Sequence, residues 1–265
     1  VEKNPQFPDL LRLIDERSTA FRAAVAAAPD LDARVPTCPE WTLFDLAKHL
    51  GGGDRFWAAI VGAGPADGPP AEAVAARAAL EPPREREALL AWLAASTQLL
   101  LGALHGAGPD AACWTWWSAL QSPRSSGAVA RHRVQETSVH TYDAQLAGGA
   151  PQPLPVGVAL DGVEEFLFTC VASPSAWPHE PATFEFHAAE GRSWLLTVDG
   201  DGARSTRIPA PTDTGADGPG AAGASVHGPA GELVLYLYDR VPAESLRIGG
   251  DAGLLDLLRA WEPEE

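Results

Sequence analysis

Apolar residues recur at three- and four-residue intervals over most of the first 150 residues, and a two-residue alternation appears only beyond residue 180. In 8–28, Leu10, Leu11, Ile14, Phe21 and Val25 make one stripe that stops at Pro29-Asp30. In 42–61, Leu43, Leu46 and Leu50 do the same; Thr42 stands before them, with Asp45 three residues on, a T-x-x-D variant of the capping box. Segment 85–105 carries Leu89, Trp92, Leu93, Leu99, Leu100 and Leu104, and 127–147 reads as a fourth helix. The stretch "GAGPADGPPAEAVAARAALEPPRER" is a Pro/Ala-rich connection with a short helix. Four long antiparallel helices with one long crossover predict a bundle, whose sites are usually built from side chains facing its core.

After "GGAPQPLPVG" the pattern changes. Segment 156–171 is still helical, but "ATFEFHA" and "SWLLTVDG" alternate with period two, and "GDG" lies between strands. "PAPTDTGADGPGAAGA" is a loop, and "GPAGELVLYLYDR" and "GDAGLLDLLRAW" return to helical spacing. The expected fold is a helical bundle over 1–150 followed by a smaller α+β domain over 151–265, with no internal repeat.

Charge narrows the function. The net charge of −16 argues against nucleic acid, where a basic face supplies most of the affinity. Residues 1–150 carry 17 acids and 13 bases, whereas 151–265 carry 18 and 6, an asymmetry that also suggests two modules. Seventeen of 19 basic residues are Arg, which fits a GC-rich genome and carries no chemistry. Cys38, Cys113 and Cys170 are scattered without a C-x-x-C, as expected in a reducing cytoplasm. The N-terminal residues show no basic and apolar leader. Residues 88–109 contain no charge, but Ser96-Thr97-Gln98 interrupt them, so a fully buried bundle helix is expected rather than a membrane span.

The chemistry concentrates in "RHRVQETSVHTYDAQLA", residues 131–147. Glu136, His140, Asp143 and Ala147 fall on one helical face, while the competing face of Val134, Thr137, Thr141 and Ala144 is only weakly apolar. Burying these ionisable groups requires that they meet each other, a base or a metal. Glu-x-x-x-His places two donors one turn apart, and His49 on the second helix is available as a third. Two imidazoles and a carboxylate make an open zinc set; structural hydrogen bonds on a metal-free scaffold explain the same spacing equally well.

Together, "VPTCPEWTLFDLAKHLGG" and "RHRVQETSVHTYDAQLA" resemble the DinB-like, mycothiol-dependent maleylpyruvate isomerase family. "GPAGELVLYLYDR" and "GDAGLLDLL" resemble its sterol-carrier-protein-like C-terminal module. The resemblance implies a DinB-like four-helix bundle in which His49, Glu136 and His140 bind the metal. It further implies mycothiol as thiol cofactor, zinc or another divalent ion to activate it, and a small electrophile or unsaturated acid as substrate. Isomerisation and S-transfer both need only the activated thiolate, and a non-catalytic module that sequesters a thiol conjugate is the alternative. Family members often read H-E-T-x-x-H-R-W-D-A-E, whereas this chain has Gln135, Thr141, Tyr142 and Gln145, so its substrate can differ.

Several other residues are candidates. Arg240 in "LYLYDR" matches a recurrent family arginine suited to an anionic substrate or thiol; complementing a helix C-terminus is its alternative role. Arg131 and Arg133 are candidate carboxylate binders or solvated charges. Trp117, in "CWTWWSALQSPR", is a pocket wall or a core residue. Asp143 is placed to orient a ligand or to pair with a neighbouring Arg. Cys38 is a loop thiol or a fourth ligand.

Overall fold

The computed structural model describes residues 4–210 and 223–261, and most of the loop expected around 209–224 lies outside them. The chain forms two compact units: one comprises the chain up to Thr115 with Arg124–Leu154, the other Trp116–Pro123 with the chain from Pro155 onward.

The first unit is built on long helices: α1 (Phe7–Ala27), α2 (Leu43–Ala63), the short α3 (Ala71–Ala78), α4 (Arg86–Ala107) and α5 (Ser126–Ala147). Helix α1 packs on α4 and α5, and α2 packs on the same two helices. Phe21, Val25, Leu43, Leu46, Leu50, Leu89 and Leu93 meet in one core cluster. Each such side chain contributes about 1.5–3 kcal/mol by leaving water. Cys38, expected in a loop, instead opens β2 (Cys38–Thr42), which pairs with the two-residue β1 (Arg34–Val35) in a small antiparallel hairpin.

Two helices depart from the expected pattern. Helix α4 is long and apolar enough to cross a membrane, but Leu89, Leu93, Leu100 and Leu104 are buried while Leu99 is half exposed. It is therefore a one-sided bundle helix and not fully buried. Helix α5 is buried on nearly every side, including Arg133, Gln135, Ser138 and Asp143. Its hydroxyls turn back onto the helix, Ser138 donating to the Val134 carbonyl (2.6 Å) and Thr141 to that of Thr137 (2.7 Å).

In the second unit, α6 (Val156–Glu165) runs into a π-helical turn at Phe166–Val171. Strands β3 (Ala182–Ala188), β4 (Ser193–Asp199), β5 (Gly202–Ile208), β6 (Ala224–Gly228) and β7 (Arg247–Gly250) form one sheet. The order is β5-β4-β3-β6-β7, antiparallel except for β3 with β6. Phe184, Phe186, Trp194, Leu196 and Val198 are the buried half of the period-two pattern. Helices α7 (Ala230–Leu237) and α8 (Ala252–Ala260) complete the unit. At the "GDG" turn Gly202 has φ of 107°, and a Cβ there would come within 2.0 Å of the Ser173 carbonyl oxygen, so only glycine fits. The segment 116–123 joins this unit through Gln121, which donates to the Ser205 carbonyl (2.7 Å) and accepts from the Ser205 amide (2.6 Å).

Candidate metal centre

The site begins with the capping box. Thr42 Oγ1 accepts from the Asp45 amide (3.2 Å) and Asp45 Oδ2 accepts from the Thr42 amide (2.9 Å), which starts α2 at Leu43. That start places Leu43, Leu46 and Leu50 in the core and leaves His49 half-buried at its edge. Ser125 caps α5 by accepting from the Ala128 amide.

From these two helices, His49, Glu136 and His140 converge, each offering one donor atom within 4.8 Å of the others. His49 Nε2 stands 2.9 Å from Glu136 Oε1, near the separation of about 3.3 Å expected between two ligands of one tetrahedral zinc. His140 Nδ1–H donates to Asp143 Oδ2 (2.8 Å), which leaves Nε2 as the lone-pair nitrogen. Asp143 is fully buried, and its other oxygen accepts from Thr37 Oγ1 (2.6 Å). The rings of His49 and His140 meet edge-on at 5.0 Å, and the Trp41 ring lies 4.7 Å from that of His49. Two imidazoles and a carboxylate, one imidazole already oriented by an acid, match the donor chemistry of a divalent ion.

Electrostatics favour the same protonation states. Burial pushes the Glu136 carboxyl up, but Arg133, His49 and His132 outweigh it and hold the group well below the ordinary glutamate value. Burial pushes His140 below its ordinary value despite the opposing pull of Asp143 and Glu136. The site therefore offers an ionised carboxylate and a neutral imidazole at neutral pH. Beside His49 opens a groove of about 500 Å3 lined by Glu40, Trp41, Asp45, Lys48, Arg77 and Leu80.

The other candidates take varied positions. Arg133 binds carboxylates, but they are the chain's own: Nη2 donates to Asp54 Oδ1 (2.8 Å) and Nη1 to Glu136 Oε2. Its side chain is fully buried rather than solvated. Arg131 is half-buried on α5. Trp117 is buried in the second unit, its indole N–H donating to the Pro123 carbonyl and its ring edge-on to Trp116. Arg240 follows Asp239, which has φ of 58°, at the end of α7 and donates to the Tyr238 carbonyl. Cys38 donates to Asp143 Oδ2 at 3.9 Å and stands outside the ligand trio.

Asp54, Thr97 and Thr37 escape the sequence pattern. A signal for Asp54 is present: it falls four residues after Leu50, where the apolar stripe of α2 should continue. An acid at such a position needs a buried partner, and Arg133 on the ionisable helix supplies it.

A two-unit chain with a converging His, Glu and His set on two bundle helices defines a class of helical-bundle proteins carrying an α+β module. Residues 11–145 match the family model described as the mycothiol maleylpyruvate isomerase N-terminal domain, and 157–257 match that of the MDMPI C-terminal domain. The chain belongs to the mycothiol maleylpyruvate isomerase family. Among solved structures, the mycothiol-dependent maleylpyruvate isomerase is similar at 14% identity and a TM-score of 0.58, covering 93% of this chain and 95% of that one. A histidine-to-alanine mutant of that isomerase is similar at 13% identity, with the same TM-score and coverage. At such identity the likeness establishes the fold. No curated protein matches the sequence.

Proposed function

We propose that this chain is a metal-dependent enzyme that activates a low-molecular-weight thiol, mycothiol, for isomerisation of, or S-transfer to, a small electrophile such as an unsaturated acid. The observation that carries this reading is the convergence of His49, Glu136 and His140 in a chain whose two modules both match the family. His49, Glu136 and His140 would hold a divalent ion, zinc by its preference for N and O donors, and such an ion would supply the Lewis acidity that lowers a thiol's pKa toward neutrality.

The chain's own residues prepare that chemistry. Asp143 fixes the tautomer of His140, and Trp41 packs against the ring of His49. The groove beside His49 gives a small molecule access to the edge of the site. Glu136 is committed between His49 and Arg133, so it acts as a ligand and not as a base on water. Burial raises the Cys113 thiol to about 11, which makes that side chain a poor nucleophile near neutrality. We assign Arg240 to an anionic group of substrate or thiol and Arg131 to the binding of the thiol cofactor, whereas Trp117, buried in the second unit, takes the core role. Three cysteines scattered without a C-x-x-C fit the cytoplasmic setting we propose.

The test is a screen of unsaturated acids and activated electrophiles with and without mycothiol, before and after chelation. Turnover should require the thiol, vanish on chelation and return with zinc. Bound metal without turnover on any electrophile would point to a binding module instead, and thiol-independent hydrolysis would overturn the mechanism. Arg240→Ala should weaken binding of the anionic partner with metal content intact.

A further inference from the structure

Behind Glu136 lies a chain of buried charges that the three ligands alone do not explain. Arg133 from α5 gives Nη1–H to Glu136 Oε2 and Nη2–H to Asp54 Oδ1 (2.8 Å) and to the Leu50 carbonyl (3.4 Å). Asp54 on α2 accepts at Oδ2 from Thr97 Oγ1 of α4 (3.0 Å). The approach is close enough that a Cβ on Gly53 would lie 3.0 Å from Nη1. Helices α2 and α5 thus meet at one guanidinium, α4 buttresses it through Asp54, and the guanidinium holds one carboxylate oxygen of Glu136.

A buried ion network adds little stability over apolar packing of equal volume, so its use is sought in what it holds. It holds Glu136. A carboxylate on a three-torsion side chain can offer a cation either oxygen or both. With Oε2 taken by Arg133, the oxygen left to face His49 Nε2 is Oε1, at 2.9 Å. We infer that Arg133, held by Asp54 and Thr97, is a positioning residue that fixes which oxygen Glu136 presents to the metal, an assignment that rests on the metal reading above. The planar fork matters as much as the charge: Nη1 serves Glu136 and Nη2 serves Asp54, a fixed in-plane arrangement that an ammonium group does not impose. Arg133 therefore acts through Glu136 and needs no contact with thiol or substrate.

Arg133→Lys separates position from charge, because it keeps the cation and removes the fork. Its zinc Kd, measured by competition with a chromophoric chelator, should be about 10–100-fold weaker than wild type, the usual cost of losing a partner that orients a metal ligand. The visible spectrum of the cobalt-loaded variant should shift as Glu136 becomes free to bind through both oxygens. Asp54→Asn, close in shape to the native residue, should weaken zinc in the same direction and serves as the reporter if Arg133→Lys does not fold, with thermal unfolding of the metal-free proteins as the check. Wild-type Kd and an unchanged cobalt spectrum in a folded Arg133→Lys, or in Asp54→Asn where the lysine variant does not fold, would overturn the positioning role and leave a purely structural ion pair. Absence of zinc binding in wild type would instead overturn the metal reading, and this assignment with it.

Discussion

Asp143 sits where one side chain controls another: it receives the His140 Nδ1–H at 2.8 Å and is itself held by Thr37 at 2.6 Å. Asp143→Ala frees the imidazole to rotate and to change tautomer, so metal affinity should fall about 10–100-fold, read as a zinc Kd by chelator competition. Glu136→Gln removes the negative charge between His49 and Arg133, so metal occupancy and turnover should fall together. Occupancy retained with turnover lost would make Glu136 a general base instead. At this scale the convergence of His49, Glu136 and His140 was legible, because Glu136 and His140 lie one turn apart and His49 falls in the segment that resembles the family. Arg133, Asp54 and Thr97 were not legible as a unit. Arg133 and Asp54 are 79 residues apart, Asp54 and Thr97 are 43 apart, and nothing local in the chain announces such pairings.

Helices were more legible than strands, and the reason is length. Helix α2 shows several turns of period and a capping box that the structure reproduces atom for atom. Strands β6 and β7 are four or five residues long with single apolar positions such as Val226 and Ile248, too short to display a period. Two substitutions probe α2. Thr42→Ala removes the acceptor of the Asp45 amide and should cost about 1 kcal/mol in chemical denaturation. Gly51→Ala places a Cβ 2.2 Å from the Trp92 ring and should cost about 1–3 kcal/mol by overpacking. Helix α5 is the instructive case. Its ionisable face looked anomalous in sequence because a helix buried on nearly every side leaves little solvent face on which to place polar groups. Each must then find a partner inside.

Across the whole molecule, composition and charge separate a helical half from a more acidic α+β half. The compact units are interleaved nonetheless, since Trp116–Pro123 belongs with the second. Both Gln121 hydrogen bonds to Ser205 tie that segment to β5, so Gln121→Ala should lower stability by about 1–3 kcal/mol in thermal or denaturant unfolding. Sequence composition could not show this, because a short Trp-rich stretch carries no signature of the sheet on which it ends. The central claim is that His49, Glu136 and His140 together hold one divalent ion. Elemental analysis of protein purified without added metal tests it most directly. About one ion per chain, probed alongside His49→Ala and His140→Ala, should be found in wild type and be nearly absent from both variants. Stoichiometry near zero in wild type, or metal content unchanged in the two variants, would contradict it.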